Sequence, residues 1–239
     1  RDRAGPVKYR AAVIGLGRIG FTMEQDPLRP KPATHVGAYL AHPRTSLVAV
    51  CDEDQLKLNA AFSSQISSLE EVTDDIDAML APKCAIVSVA TPLETHDGIV
   101  RWLAQSGDVK AIICEKPLAE TPRDAAAMVA ACRATGVRLF VNHSRRFDPA
   151  LRALAKEVLD WSIGQPMWAT LYYSGGLWNN GPHAVDLIRM LTGWSIERVQ
   201  AWHGPGGPVA GDRAASFTFW PDYGVGGGTC VHLDAEAWS

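Results

Sequence analysis

The stretch Tyr9–Gly20, YRAAVIGLGRIG, constrains this chain more than any other. An apolar run, Ala11-Ala12-Val13-Ile14, leads directly into Gly15-Leu16-Gly17-Arg18-Ile19-Gly20. That is G-x-G-x-x-G at a strand-to-helix junction. Gly15 permits a tight turn, Gly17 presents no Cβ to a pyrophosphate, and Gly20 lets the helix pack closely on the strand. Unpaired N–H groups at a helix start attract phosphate charge. Gly15, Gly17, Arg18, Ile19 and Gly20 are therefore the residues expected to hold a dinucleotide.

A second apolar run, Ser46–Cys51, ends in Asp52-Glu53-Asp54. A carboxylate at this strand tip accepts hydrogen bonds from ribose hydroxyls and repels a 2′-phosphate. No Lys or Arg follows until Lys57, so the pattern at Asp52 predicts NAD rather than NADP. An Asp at such a turn also serves as a helix N-cap, and the two roles are compatible. The spacing is unusual: the acid falls 52 − 20 = 32 residues past the last glycine, against about 20 in the usual fingerprint. The extra length is Glu24–Thr34, EQDPLRPKPAT. Its three prolines are expected to stop the first helix early and to form a loop at the rim of the cofactor cleft.

From Tyr9 to about Val141, strand-like runs at 9–14, 46–51, 84–90, 110–114 and 138–141 alternate with helical patterns at about 53–62, 74–80, 95–105 and 122–134. Strands that are apolar throughout are buried on both faces, which means a parallel sheet with helices on each side. Residues 1–147 are read as one doubly wound α/β domain, with ligands at the carboxyl ends of its strands. Polar residues gather at those ends: Thr91-Pro92 with His96, then Glu115-Lys116-Pro117, then Asn142 through Arg146. Any one of them could be a capping or turn residue; three such loops on one edge point to a site.

After Phe147 the pattern changes. A helix at about 149–161 is broken by Gly164 and Pro166, and an aromatic strand follows at 167–173. Trp178, Asn179, Pro182, His183 and Asp186 then mark a helix start, with Pro182 suited to its first turn. Strands are expected at 198–203, 214–220 and 229–234, with glycine-rich turns at 204–211 and 224–228. Residues 148–239 are read as a short α+β domain with an open antiparallel sheet.

The net charge of −3 gives no reason to expect nucleic acid or an anionic membrane surface as a partner. Five cysteines, an odd number without C-x-x-C spacing, predict buried thiols, a reducing compartment and no structural metal. No apolar run reaches the roughly 18 residues of a membrane span, and no apolar signal region opens the chain. The expected location is cytoplasmic.

In order, G-x-G-x-x-G, T-P-x-x-x-H, Glu-Lys-Pro, Asn-x-x-Arg-Arg-Phe and a late G-x-H-x-x-D helix resemble the glucose–fructose oxidoreductase / inositol dehydrogenase / rhizopine catabolism (Gfo/Idh/MocA) family. The resemblance covers roughly residues 8–234. It implies a Rossmann domain followed by an α+β domain whose open sheet mediates oligomerisation, here a homodimer or larger. It also implies oxidation or reduction of a secondary alcohol or ketone on a sugar, cyclitol or sugar nucleotide with NAD(P). By the same resemblance, Lys116 lies near the nicotinamide and the reacting hydroxyl, and His183 is the proton-transfer residue. Asp186 supports the late helix. Thr91, Pro92, His96, Glu115 and Lys116 join the cofactor set, and Asn142, Arg146, Trp178, Asn179 and His183 form the substrate set.

Two departures from the family pattern stand out. Asn179 occupies the place where many inositol-dehydrogenase-like members carry a catalytic Asp. The chain also offers only 239 − 147 = 92 residues after Phe147, short for the family. The leading reading is an NAD-dependent dehydrogenase acting on a small-molecule substrate. The alternatives are a non-catalytic dinucleotide-binding regulator of the same fold and an NAD-dependent glycoside-cleaving relative.

Overall fold

The computed structural model describes residues 8–64, 66, 68–80, 82–203, 215–221 and 226–232. The chain divides into two compact units, one running to Asn142 and one starting at His143.

In the first unit β1 (Tyr9–Ile14), β2 (Thr45–Cys51), β3 (Glu71–Thr73), β4 (Ile86–Val89), β5 (Ala111–Cys114) and β6 (Arg138–Val141) form one sheet. The order is β3-β2-β1-β4-β5-β6, and every pairing is parallel. Alternation along β1 explains the two-layered core. Ala11 and Val13 pack with Leu16, Val36 and Leu58 beneath α1 (His35–Ala41) and α2 (Gln55–Ser63). Ala12 and Ile14 pack with Val100, Leu103 and Met128 beneath α3 (His96–Gln105) and α4 (Pro122–Thr135). Local sequence sets the limits of α4: the Thr121 hydroxyl accepts from the Asp124 amide, Pro122 takes the first turn, and Gly136 ends the helix at φ 74°.

Two local expectations change. The helix predicted at 74–80 is absent, and a third strand, β3, precedes its place. There the Asp75 amide donates to Thr73 Oγ1 (2.9 Å) and the Asp77 amide to Asp75 Oδ1 (2.8 Å). Short polar side chains bonded to nearby amides compete with the helical ladder, so only a 3-10 turn forms at Ala78–Leu80.

The second change concerns the first helix, which is interrupted rather than shortened. Phe21 N–H donates to Gly17 C=O (2.9 Å), forming one helical turn. The chain then leaves, and returns with His35 N–H donating to Ile19 C=O (3.0 Å) and Val36 N–H to Gly20 C=O (3.1 Å). Both bonds span 16 residues (35 − 19 and 36 − 20), which is the helical four plus twelve. A twelve-residue excursion separates the turn at Gly17–Phe21 from α1, whose first two amides bond back to that turn. Subtracting it from the spacing to Asp52 gives 32 − 12 = 20, the usual interval. Glu24 closes the excursion, accepting from Thr34 Oγ1 (2.6 Å) and the Ala33 amide (3.0 Å), while the Thr34 hydroxyl caps α1 through the Gly37 amide.

In the second unit α5 (Pro149–Leu159) precedes β7 (Trp168–Tyr173), α6 (Gly181–Thr192), β8 (Ile196–His203), β9 (Ala215–Pro221) and β10 (Gly227–His232). The sheet order is β7-β10-β9-β8. Two pairings are antiparallel and the third, β7 with β10, is parallel. Parallel neighbours need a long crossover, and α6 with β8 and β9 provides it. Tyr173, Ala184, Ile188, Trp194, Phe217 and Phe219 form the core of this unit. The turn expected at 204–211, and residues 214, 224, 225, 233 and 234 of the expected strands and turns, lie outside the described residues.

All five cysteines are buried and unpaired. Burial pushes the thiols of Cys114 and Cys230 up to about 12 and those of Cys51 and Cys84 up to about 11.

Candidate active site

At the carboxyl ends of β1, β2 and β4 a cavity of about 520 Å³ is lined by Gly15, Gly17, Asp52, Glu53, Lys57, Thr91 and Pro92, among others. Gly15 has φ +91°, and a Cβ there would lie 2.6 Å from the Ala90 carbonyl. A Cβ on Gly20 would lie 1.9 Å from the Gly15 carbonyl oxygen. These two glycines close the loop against the sheet. Gly17 differs, because nothing lies within 4 Å of a Cβ built on it. Its bare backbone lines the cavity, as a loop receiving a pyrophosphate requires. Arg18 and Ile19 lie in the same turn but do not line this cavity.

Asp52 is buried at the tip of β2. Its Oδ2 accepts from the Leu16 amide (2.6 Å) and its Oδ1 from the Asp54 amide (2.9 Å), while Lys57 Nζ approaches Oδ1 to 3.2 Å. The carboxylate therefore pins the glycine loop to β2 while it lines the cavity. The helix cap anticipated here belongs to Asp54, which accepts from the Leu56 amide (2.9 Å). Burial works against the Lys57 charge, but hydrogen bonding and attraction to Asp52 and Asp54 outweigh it and raise the ammonium above its ordinary value.

His96, expected to contact a cofactor, is 1% exposed. Its Nε2 lies 3.0 Å from the Thr91 carbonyl, and its Nδ1 lies 3.1 Å from that of Pro117. The ring ties the loop after β4 to the loop after β5, and both nitrogens are engaged with the protein itself.

Glu115, also assigned to the cofactor, is turned inward. Its Oε1 accepts from His35 Nε2 (3.0 Å) and Asn142 Nδ2 (2.6 Å), and its Oε2 from the Lys116 amide (3.3 Å). Burial opposes its ionisation, yet these donors more than offset that and hold the carboxyl below the usual carboxylate range. The Asn142 amide nitrogen is engaged here, which leaves its carbonyl oxygen for any substrate role. Lys116, half-buried, is the second residue after β5.

In the second unit α6 opens with Gly181-Pro182-His183, and Asp186 lies one turn beyond His183. Arg146, assigned to the substrate, instead grips Asp186: Nε lies 2.8 Å from both carboxylate oxygens and Nη2 lies 2.8 Å from Oδ1. Asp186 thus supports the helix start by anchoring it to the Ser144–Phe147 turn. His143 Nδ1 lies 3.8 Å from Asp186 Oδ2, and the His143 and His183 rings meet edge to face, with centroids 6.1 Å apart. His143 and Trp178 line a cavity of about 400 Å³ along α6 with Pro182, Asp186 and Arg189. Asn179 is exposed beside Trp178.

Residues 9–143 match the oxidoreductase family GFO_IDH_MocA, with its NAD-binding Rossmann fold. The chain belongs to this family. It is 32% identical to D-apiose dehydrogenase of Paraburkholderia graminis, over 91% of this chain and 59% of that protein. It is 29% identical to scyllo-inositol 2-dehydrogenase (NAD(+)) of Bacillus subtilis, over 80% of this chain and 50% of that one. The WlbA dehydrogenase of Bordetella pertussis, solved with NADH and UDP-GlcNAcA, superposes with a TM-score of 0.79 at 23% identity. That match covers 96% of this chain and 68% of the WlbA chain.

Membership of the GFO_IDH_MocA family fits the open backbone at Gly17 and the glycine loop pinned by Asp52. The chain spans about three-fifths or less of the two curated relatives named. Sequence reasoning missed two residues: His35, which the excursion delivers to Glu115, and His143, which lies between Asp186 and His183. His143 carried a signal, since it sits in the polar cluster after β6. His35 lies just past the loop read at Glu24–Thr34 and carried no signal of its own. Among the described residues no helix is long and apolar enough to cross a membrane, and no cluster of His, Cys, Asp or Glu is arranged to hold a metal.

Proposed function

We propose that this chain is the core of an NAD-dependent oxidoreductase that interconverts a secondary alcohol and a ketone on a sugar, cyclitol or sugar nucleotide. The observation that carries the reading is the Gly17 backbone, open to a cavity beside a buried Asp52. A bound nicotinamide supplies the acceptor for the hydride that leaves the substrate carbon. The protein supplies the rest. His183 takes the hydroxyl proton as the C=O bond forms, and Lys116 stabilises the negative charge developing on that oxygen. In the reverse direction His183 returns the proton.

Preference for NAD over NADP follows from the charges around the cavity: Asp52, Glu53, Asp74 and Glu94 against Lys57 alone. Four carboxylates disfavour a 2′-phosphate. Assembly as a homodimer or larger is supported by the second sheet, where Trp168 (51%), Tyr172 (62%) and Trp202 (48%) remain exposed. A stable interface that covers them would bury at least about 1,000 Å² in total. Residues 1–147 act in this reading as the cofactor domain and 148–239 as the substrate and assembly domain. A cytoplasmic location agrees with five reduced cysteines.

NADH formation with a panel of sugars, cyclitols and sugar nucleotides tests the activity. His183→Ala and Lys116→Ala should each lower kcat by about 10²–10⁴-fold, while His183→Ala still binds NAD in calorimetry. Wild-type rates in both variants would remove the catalytic assignment. Asn179, lacking a carboxylate, favours a second reading as a non-catalytic NAD-binding regulator. Tight NAD binding with no turnover across the whole panel would support that reading instead.

A further inference from the structure

We propose that His35 is a positioning residue for Lys116, acting through Glu115, whose carboxylate it holds together with Asn142. The inference rests on the catalytic reading of Lys116. Three elements meet at this carboxylate: the start of α1 through His35, the end of β5 through Glu115 itself, and the residue after β6 through Asn142.

The chemistry fixes the roles. An ionised carboxylate only accepts, so His35 Nε2 carries the proton it donates. Both donors converge on Oε1, leaving Oε2 to the Lys116 amide. A partial turn of Glu115 about its last torsion, which the two donors on Oε1 oppose, would draw Oε2 away from the Lys116 amide. With the His35 and Glu115 side chains 7% and 11% exposed, water does not substitute readily for a lost donor. The thiol of adjacent Cys114, which burial and the Glu115 charge push up to about 12, stays protonated. Glu115 is thus a fixed negative charge one residue before Lys116, and His35 sets its direction.

Two variants should act in opposite directions on Lys116. Glu115→Gln removes the charge, so the lysine holds its proton less tightly. His35→Ala leaves the charge but removes a donor that partly neutralises it, so the lysine holds its proton more tightly. His35→Gln, whose amide can donate in place of Nε2, should restore the wild-type value. The measurement is a carbon-13 NMR titration of the full chain after reductive methylation with labelled formaldehyde. The Lys116 resonance is assigned by its absence in Lys116→Arg. The midpoint should fall in Glu115→Gln and rise in His35→Ala, each by on the order of 1 pH unit. An unchanged midpoint in both, or a shift of the same sign in both, would overturn the proposal. General loosening of the fold predicts shifts of one sign, and circular dichroism at each pH identifies any variant that has unfolded. If Lys116→Ala turns over normally, the catalytic reading fails while the opposed shifts stand. If Lys116→Ala is inactive and the shifts are absent, the positioning role alone fails.

Discussion

Each unit holds one carboxylate between a histidine and a stronger donor, and the two differ in what surrounds the pair. Glu115 in the first unit is bonded to His35, Asn142 and a backbone amide, with the His35 and Glu115 side chains 7% and 11% exposed. Asp186 in the second unit is 13% exposed, but its principal partner, the Arg146 guanidinium, is 44% exposed. A buried anion held by enclosed donors depends on geometry, because nothing mobile can replace a lost donor. An anion held by an exposed guanidinium depends on charge, which ions in solution can screen. The first arrangement suits an unchanging scaffold beside the lysine proposed to be catalytic. The second suits a helix start whose neighbours can adjust.

The largest test removes the buried carboxylate. Glu115→Ala leaves the His35 and Asn142 donors without their acceptor and should destabilise the protein by about 3 kcal/mol near neutral pH. Denaturant unfolding of the full chain measures it. The pH dependence has a definite sign. The Glu115 carboxyl is held below the usual carboxylate range in the fold, so its ionisation favours the folded state. That contribution is fully present above the unfolded carboxyl value of about 4.3. It is lost as pH falls through the lower folded value. Below about pH 4 the gap between wild type and Glu115→Gln should narrow, because that is where the Glu115 carboxyl itself takes up its proton. A gap that widens below about pH 4 would contradict a depressed carboxyl.

A smaller effect is expected in the second unit. Asp186→Ala removes a two-pronged ion pair with one exposed partner and should destabilise the protein by about 1 kcal/mol. Repeating the measurement in about 1 M salt, where the screening length falls to about 3 Å, should reduce that value. The Glu115→Ala effect should not change with salt. If salt weakens both equally, the contrast between enclosed donors and exposed charge is wrong.

What the sequence made legible follows from how local each signal is. The glycine loop, the apolar strands and Thr121-Pro122 with Gly136 each act within a few residues, and the fold presents them where expected. The interval of 32 residues to Asp52 showed that something was inserted. It did not show that the helix resumes, since a helical bond between His35 and Ile19 has no pattern in the intervening residues. Strand β3 is three residues long and the helix read beyond it carried Asp74, Asp75 and Asp77, with Thr73 just before it, residues whose side chains favour turns. At the site, Glu115, Asn142 and Arg146 were visible as polar residues at chain ends. Their direction was not, because the partner that turns Glu115 inward lies 80 residues away, and the one that takes Arg146 lies 40 away.

The smallest expected effect comes from the excursion that separates His35 from the glycine loop. The residues to remove are Thr22–Ala33, twelve in number, which would join Phe21 to Thr34. His35 would then stand four residues after Ile19, and its existing bond to the Ile19 carbonyl would become an ordinary helical one. The deletion loses the contacts that Glu24 makes with Thr34 and Ala33, and the bonds from Lys31 Nζ to the Met23 and Asp26 carbonyls. All of these serve the excursion or its closure. Against them stands a shorter loop to order, a difference of the same small size. The net change should be within about 1 kcal/mol, and the His35–Glu115 bond should survive because Thr34 still caps α1 through the Gly37 amide. NAD affinity by calorimetry should stay within a few-fold of wild type, since none of the removed residues lines the cavity beside Gly17. Loss of NAD binding, or destabilisation comparable with Glu115→Ala, would mean that the excursion is part of the scaffold that holds the buried carboxylate and not an addition to it.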